Sequence, residues 1–200
     1  MMNELTLLIP VLFSVPLQTV AVGALGLALM NSNWLSGGIV LKQGLWEKCY
    51  RENSYSGADG SKSGDDSSNL CFDLPPHDWV TLCRLMGVLG SLAATLGLLF
   101  MLCLFVGCVV NRHRQMRKRV AMSSVIAILA QVVLTLLTLS VYWSKSSDMD
   151  PGVGLIEATV SIAFSTFSLL GLALYLLRLN RFFEAQERKR LTKDQADNYE

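Results

Sequence analysis

The side chains that carry chemistry are few in this 200-residue chain, and they are scattered. Its two histidines, His77 and His113, stand apart with no cysteine or acid at metal-ligand spacing. No nucleophile–base grouping is present either, so the expectation is a protein that is not an enzyme and holds no metal and no cofactor. Glu157 is the only acid inside a long apolar run. An ionisable group within a bilayer usually marks an ion or proton path, but Glu157 lies close to the end of its run and reads as interfacial. The five cysteines are too few and too dispersed for a disulfide-built miniprotein. Cys49 and Cys71 are the two clearly outside apolar runs, and their chemistry is oxidation to a disulfide. Cys103 and Cys108 lie beside a basic stretch, where thioester acylation (palmitoylation) is possible; small apolar packing residues are the equal alternative.

These residues must be positioned by what is overwhelmingly an apolar chain. Hydrophobic residues make up 52% and charged ones 16%, against about a quarter charged in soluble domains. That composition excludes a water-soluble enzyme domain, a disordered chain and a nucleic-acid binder. Four apolar runs, over 5–30, 79–110, 120–143 and 153–177, each exceed the ~20 residues a helix needs to cross a bilayer. They show no period-two alternation, so helices rather than barrel strands are expected. The first run is too long for a signal peptide, and residues 1–4 carry no positive charge. A retained helix is therefore expected, with Pro10 and Pro16 as potential kinks. Gly23, Gly26 and Ala28, and Gly87, Gly90 and Gly97, would let helix backbones approach closely. Packing within one bundle is the favoured reading, although an oligomer is possible.

Orientation follows from the basic residues. Segment 111–119 holds Arg112, Arg114, Arg117, Lys118 and Arg119 and no acid. The tail 178–200 adds Arg178, Arg181, Arg188, Lys189, Arg190 and Lys193. Both belong in the cytoplasm, and with four spans residues 1–4 do too. Phe182 and Phe183 would lie at the interface, with the basic residues near anionic lipid. Loops 31–78 and 144–152 then face outward. Residues 54–68 are almost wholly Ser, Gly, Asp and Lys, too polar to order themselves, and should form a mobile excursion. Cys49 and Cys71 bracket it on the oxidising side. An internal disulfide is the favoured reading over two free thiols or an intermolecular bridge. The simplest geometry is a hairpin with strands near 45–50 and 69–74. No Asn-x-Ser/Thr sequon is complete.

Trp34, Gly44-Leu45-Trp46, Cys49 and Cys71, taken in order, resemble the W…GLW…C…C signature of the claudin superfamily. Leu74-Pro75-Pro76, then Cys83-Arg84-Leu85-Met86, are similar to the segment that enters the second helix of claudins with an arginine. The basic run before the third span and Ser140-Val141-Tyr142-Trp143 at its outer end also fit. The resemblance implies an all-α membrane protein, a left-handed four-transmembrane helix bundle carrying a small extracellular antiparallel β-sheet. It implies that Cys49–Cys71 staples two strands, that Trp34 and Trp46 sit at the membrane-facing edge of the sheet, and that Arg84 meets the sheet's carbonyls.

A multi-pass plasma-membrane protein is thus expected, acting through other membrane proteins. Those partners would lie at cell–cell contacts, or laterally in a complex where the chain serves as an auxiliary subunit of a channel or receptor. A strand-forming claudin that sets paracellular permeability is the alternative, and a small channel or transporter a weaker one. The cysteine gap is longer than is usual in claudins, and the second outer loop is shorter. The terminal Asp197-Asn198-Tyr199-Glu200 lacks the apolar ending that PDZ domains take. These features tilt toward the auxiliary role, whereas the signature and the Leu74-Pro75-Pro76…Arg84 segment tilt toward claudins.

Overall fold

The computed structural model describes residues 4–37, 40–50, 70–73, 78–110, 114–145 and 150–197. The expected excursion 54–68, Leu74-Pro75-Pro76, His77, Arg112, His113 and the terminal residues 198–200 lie outside the described residues. Four helices dominate: α1 (Glu4–Met30), α2 (Asp78–Val110), α3 (Arg114–Lys145) and α4 (Val153–Asp197). All four are long and apolar enough to cross a membrane. α1 runs unbroken through Pro10 and Pro16. Two helices outrun their apolar runs. α3 starts at Arg114, so most of the basic segment expected as a loop is its first turns. α4 carries on through the basic tail for 45 residues in all.

Each helix buries one narrow stripe. The buried positions are 10, 11, 14, 18, 21, 25 and 28 on α1, and 80, 83, 87, 90, 94, 97, 101 and 104 on α2. On α3 they are 121, 124, 128, 131, 135, 138 and 142, and on α4 154, 158, 161, 165, 168, 172, 175 and 179. From position 11 of α1 onward and along the other three helices, steps of three and four alternate, which is the seven-residue repeat of helices that pack along a continuous seam. Large apolar side chains on the other faces, such as Leu12, Phe13, Leu92, Ile126 and Leu170, are more than half exposed. Lipid, not protein, is the natural cover for them.

α1 packs most extensively on α4, and α2 on α3. Small residues make both approaches possible. A Cβ added at Gly171 of α4 would collide with the Ser14 hydroxyl of α1, and one at Gly97 of α2 would meet Ile128 Cγ1 of α3 at 2.7 Å.

One end of the bundle carries a five-stranded antiparallel sheet. Its strands are β1 (Leu35–Gly37), β2 (Val40–Gln43), β3 (Glu47–Tyr50), β4 (Leu70–Asp73) and β5 (Asp150–Pro151), in the order β4-β3-β2-β1-β5. β3 begins two residues later than the expected strand, because Gly44-Leu45-Trp46 form the connection from β2, closed by Gly44 N–H donating to Glu47 O at 2.9 Å. Gly44 is required there: a Cβ would come within 2.6 Å of Ser32 Cα and 2.8 Å of Asn31 O. β5 corrects the expectation that 144–152 is wholly a loop. Asp150 and Pro151 pair with Ser36 and Leu35, tying the second connection into the sheet.

Candidate functional site

The joint between sheet and bundle gathers most of the residues singled out from the sequence. Trp34 and Leu35 enter the sheet directly from the end of α1, and the Trp34 indole turns back to donate its N–H to Ala28 O at 2.6 Å. Its ring meets Tyr142 of α3 edge-on at 5.1 Å. The Tyr142 hydroxyl reaches the Gly44 carbonyl at 3.0 Å. From α4, Gly154 comes so close that a Cβ would lie 2.5 Å from Trp34 Cδ1. Trp34 is therefore 1% exposed and Trp46 45%. Both indoles lie on the side of the sheet that faces the bundle, each donating to an α1 carbonyl, and they differ in burial. Trp34 is core, because three helices and two strands converge on it.

Arg84, nearly two turns into α2, locks the other side of the joint. Its Nε–H donates to Leu45 O at 2.8 Å, and its guanidinium lies over the Trp46 ring at 5.1 Å. The Trp46 indole N–H donates to Leu29 O of α1 at 2.7 Å. The three-residue turn Gly44–Trp46 is thus held by α1, α2 and α3 together. Glu157 receives a hydrogen bond from Asn31 Nδ2 at 3.2 Å, joining α4 to the end of α1.

Cys49 and Cys71 are directly opposed across β3 and β4, with Cα atoms 4.0 Å apart and their sulfurs joined. Non-reduced peptide mapping by mass spectrometry is expected to recover the Cys49 and Cys71 peptides crosslinked. Alkylation of either thiol in folded, unreduced protein contradicts that outcome. Cys103 is exposed on α2, near the end of the bundle away from the sheet, and Cys83 is buried beneath the joint. Cys108 belongs to the last turn of α2, but its side chain is outside the described residues.

A second constellation went unseen in the sequence. Gln18 of α1 donates through Nε2 to Gln131 Oε1 of α3 at 2.8 Å. Gln131 Nε2 then donates to the hydroxyls of Ser165 at 2.8 Å and Ser161 at 3.2 Å, both on α4. Ser161 donates onward to Ala21 O of α1 at 2.8 Å. All four side chains are completely buried, so three helices are joined at one level by amide and hydroxyl groups. Gln18 Oε1 alone is left with no partner. One turn further along, the Ser168 hydroxyl of α4 donates to Ser14 O of α1 at 3.2 Å, while the Ser14 hydroxyl donates to Pro10 O of its own helix at 2.8 Å, with Ser168 O 3.2 Å away. The signal was present: Gln18 and Gln131 are each the only amide side chain in their apolar runs. Such a group needs a partner in lipid or protein.

Near the sheet end, α3 and α4 leave an open groove of about 270 Å³ lined by Leu139, Ser140, Trp143, Leu155 and Thr159.

No protein-family model and no curated protein matches the chain.

Proposed function

We propose that the chain is a non-enzymatic tetraspan of the claudin superfamily, acting in the plasma membrane by lateral association with other membrane proteins as an auxiliary subunit of a channel or receptor. The observation that carries this reading is the sheet and its joint. The residues of the W…GLW…C…C pattern occupy one connected structure, in which Trp34 and Trp46 reach α1, Arg84 of α2 holds the turn, and the cysteines pair β3 with β4. The seven-residue burial repeat supports a left-handed bundle, since a 3.5-residue period winds α-helices that way. The basic residues of α3 and α4 support cytoplasmic placement of that end and of both termini, with the sheet outside.

Lateral action is favoured over contact with an opposing cell because the second connection is drawn inward. β5 is bound to β1, and Gly152 N–H donates to Trp34 O at 2.7 Å. The α3–α4 groove beside it opens sideways, where a neighbouring helix would meet it.

Affinity purification of the full chain in mild detergent tests this reading. The expected result is co-purification of a multi-pass channel or receptor protein in near-stoichiometric amount. Expression in junction-free fibroblasts is expected to give no continuous strands by freeze-fracture. Strands formed by this protein alone would overturn the lateral reading in favour of junction building.

A further inference from the structure

The end of the bundle opposite the sheet carries a charge pattern that the proposed partnership does not use. Val120 of α3 and Leu179 and Phe183 of α4 pack in one apolar cluster there. That cluster brings Arg117, Lys118 and Arg119 on α3 to the same end as Arg178 and Arg181 on α4. Arg119, Lys118, Arg178 and Arg181 are exposed and Arg117 is half-buried. α3 contains no acidic residue, and the first acid on α4 beyond Glu157 is Glu184. The first turn of α3 carries no acid to offset the positive end of the helix dipole.

Depth matches charge. From Trp143, near the sheet, back to Arg119 is about 36 Å along α3 at ~1.5 Å per residue. From Val153 to Arg178 is about 38 Å on the same rise. Both distances exceed the hydrocarbon thickness of ~30 Å by a few ångströms, which puts the guanidinium groups at the level of lipid phosphates. Phe182 and Phe183, stacked edge-on at 5.6 Å, supply aromatic rings at that level.

We propose that this basic collar binds the headgroup of an inositol phospholipid carrying phosphate monoesters. Four of its five cations are arginines, whose planar forks pair with phosphate through two hydrogen bonds at once. A headgroup with one net charge would engage one fork, whereas several phosphates on one ring match cations contributed by two helices. The inference rests on the chain spanning a bilayer and is independent of its family.

Native mass spectrometry of the full-length protein, released from detergent with added lipid, tests the proposal. Phosphatidylinositol bisphosphate, phosphatidylserine and phosphatidylcholine are compared at equal concentration. The bisphosphate is expected to bind at least about tenfold more tightly than either of the others, each cation contributing about fivefold near a charged headgroup. The variant R119Q/R178Q/R181Q is expected to lose about 100-fold on the same scale, and R119K/R178K/R181K, which keeps the charge, far less. Equal adducts for all three lipids overturn the proposal, and so does an unchanged affinity in the glutamine variant. Binding of soluble inositol trisphosphate as tight as that of the lipid also overturns it, in favour of a free-phosphate site. If the glutamine variant does not fold, the wild type decides: bisphosphate adducts that persist undiminished from 0.15 to 1 M salt contradict an electrostatic collar. Recovery of the chain outside the membrane fraction would instead remove the spanning reading itself.

Discussion

Trp34→Ala is expected to cost about 3–5 kcal/mol of stability, the range for emptying a fully buried aromatic site. Trp34 is 1% exposed, and its ring touches Tyr142 while its N–H is spent on Ala28 O. Truncation leaves a cavity where α1, α3, α4 and the sheet meet, and it frees the Tyr142 ring that positions the Gly44 turn. Trp46→Ala is expected to cost less than half as much, since that ring is 45% exposed. Reversible unfolding in mixed micelles, followed by far-ultraviolet circular dichroism, measures both. Equal losses at the two positions would show that Trp34 is not the core of the joint. The difference matters for function, because the joint orients the sheet that would face a partner.

Gln131→Leu is expected to cost about 1–3 kcal/mol, because it removes the partner of a buried amide. Individual interhelical hydrogen bonds in membranes are modest, at about 0.6 kcal/mol on average. The larger figure arises because Gln18, already lacking a partner for Oε1, would lose its only hydrogen bond while completely buried. Gln18→Leu/Gln131→Leu removes both amides, so that only the Ser165 hydroxyl loses its Gln131 partner, and it is expected to recover at least half of the loss. A double-mutant cycle in micelles reads this coupling directly. Additive losses would mean that the two glutamines do not act on one another.

The same pair shows what could be read without a fold. Gln18 and Gln131 are conspicuous as lone amides, yet nothing in the chain says that they face each other across 113 positions. Their meeting depends on α1 lying beside α4 and across from α3 with a particular rotation, which no local preference sets. Trp34 and Trp46 make a related point. Both indoles are compatible with an interface, and only the convergence of helices on Trp34 separates a core ring from a surface one. β5 was invisible for the same reason: two residues, Asp150 and Pro151, have no strand signal of their own, and it is the edge of β1 that orders them.

What the sequence determines by itself is the existence and approximate extent of four helices long enough to span a bilayer. Unsatisfied backbone groups are intolerable in hydrocarbon, so length and apolarity leave little choice of structure. The two loop cysteines likewise pointed to a small stapled hairpin. Which face of each helix is inside was decided by tertiary structure alone. In water the apolar stripe marks the core, but here apolar residues surround every helix because lipid accepts them as readily as protein does. The middle of the buried stripe is distinguished instead by small or polar residues, as with Ser14, Gln18, Ala21, Ser161, Ser165 and Ser168. Its repeat becomes legible only when close approach and hydrogen bonding between helices select those residues from an otherwise uniformly apolar surface.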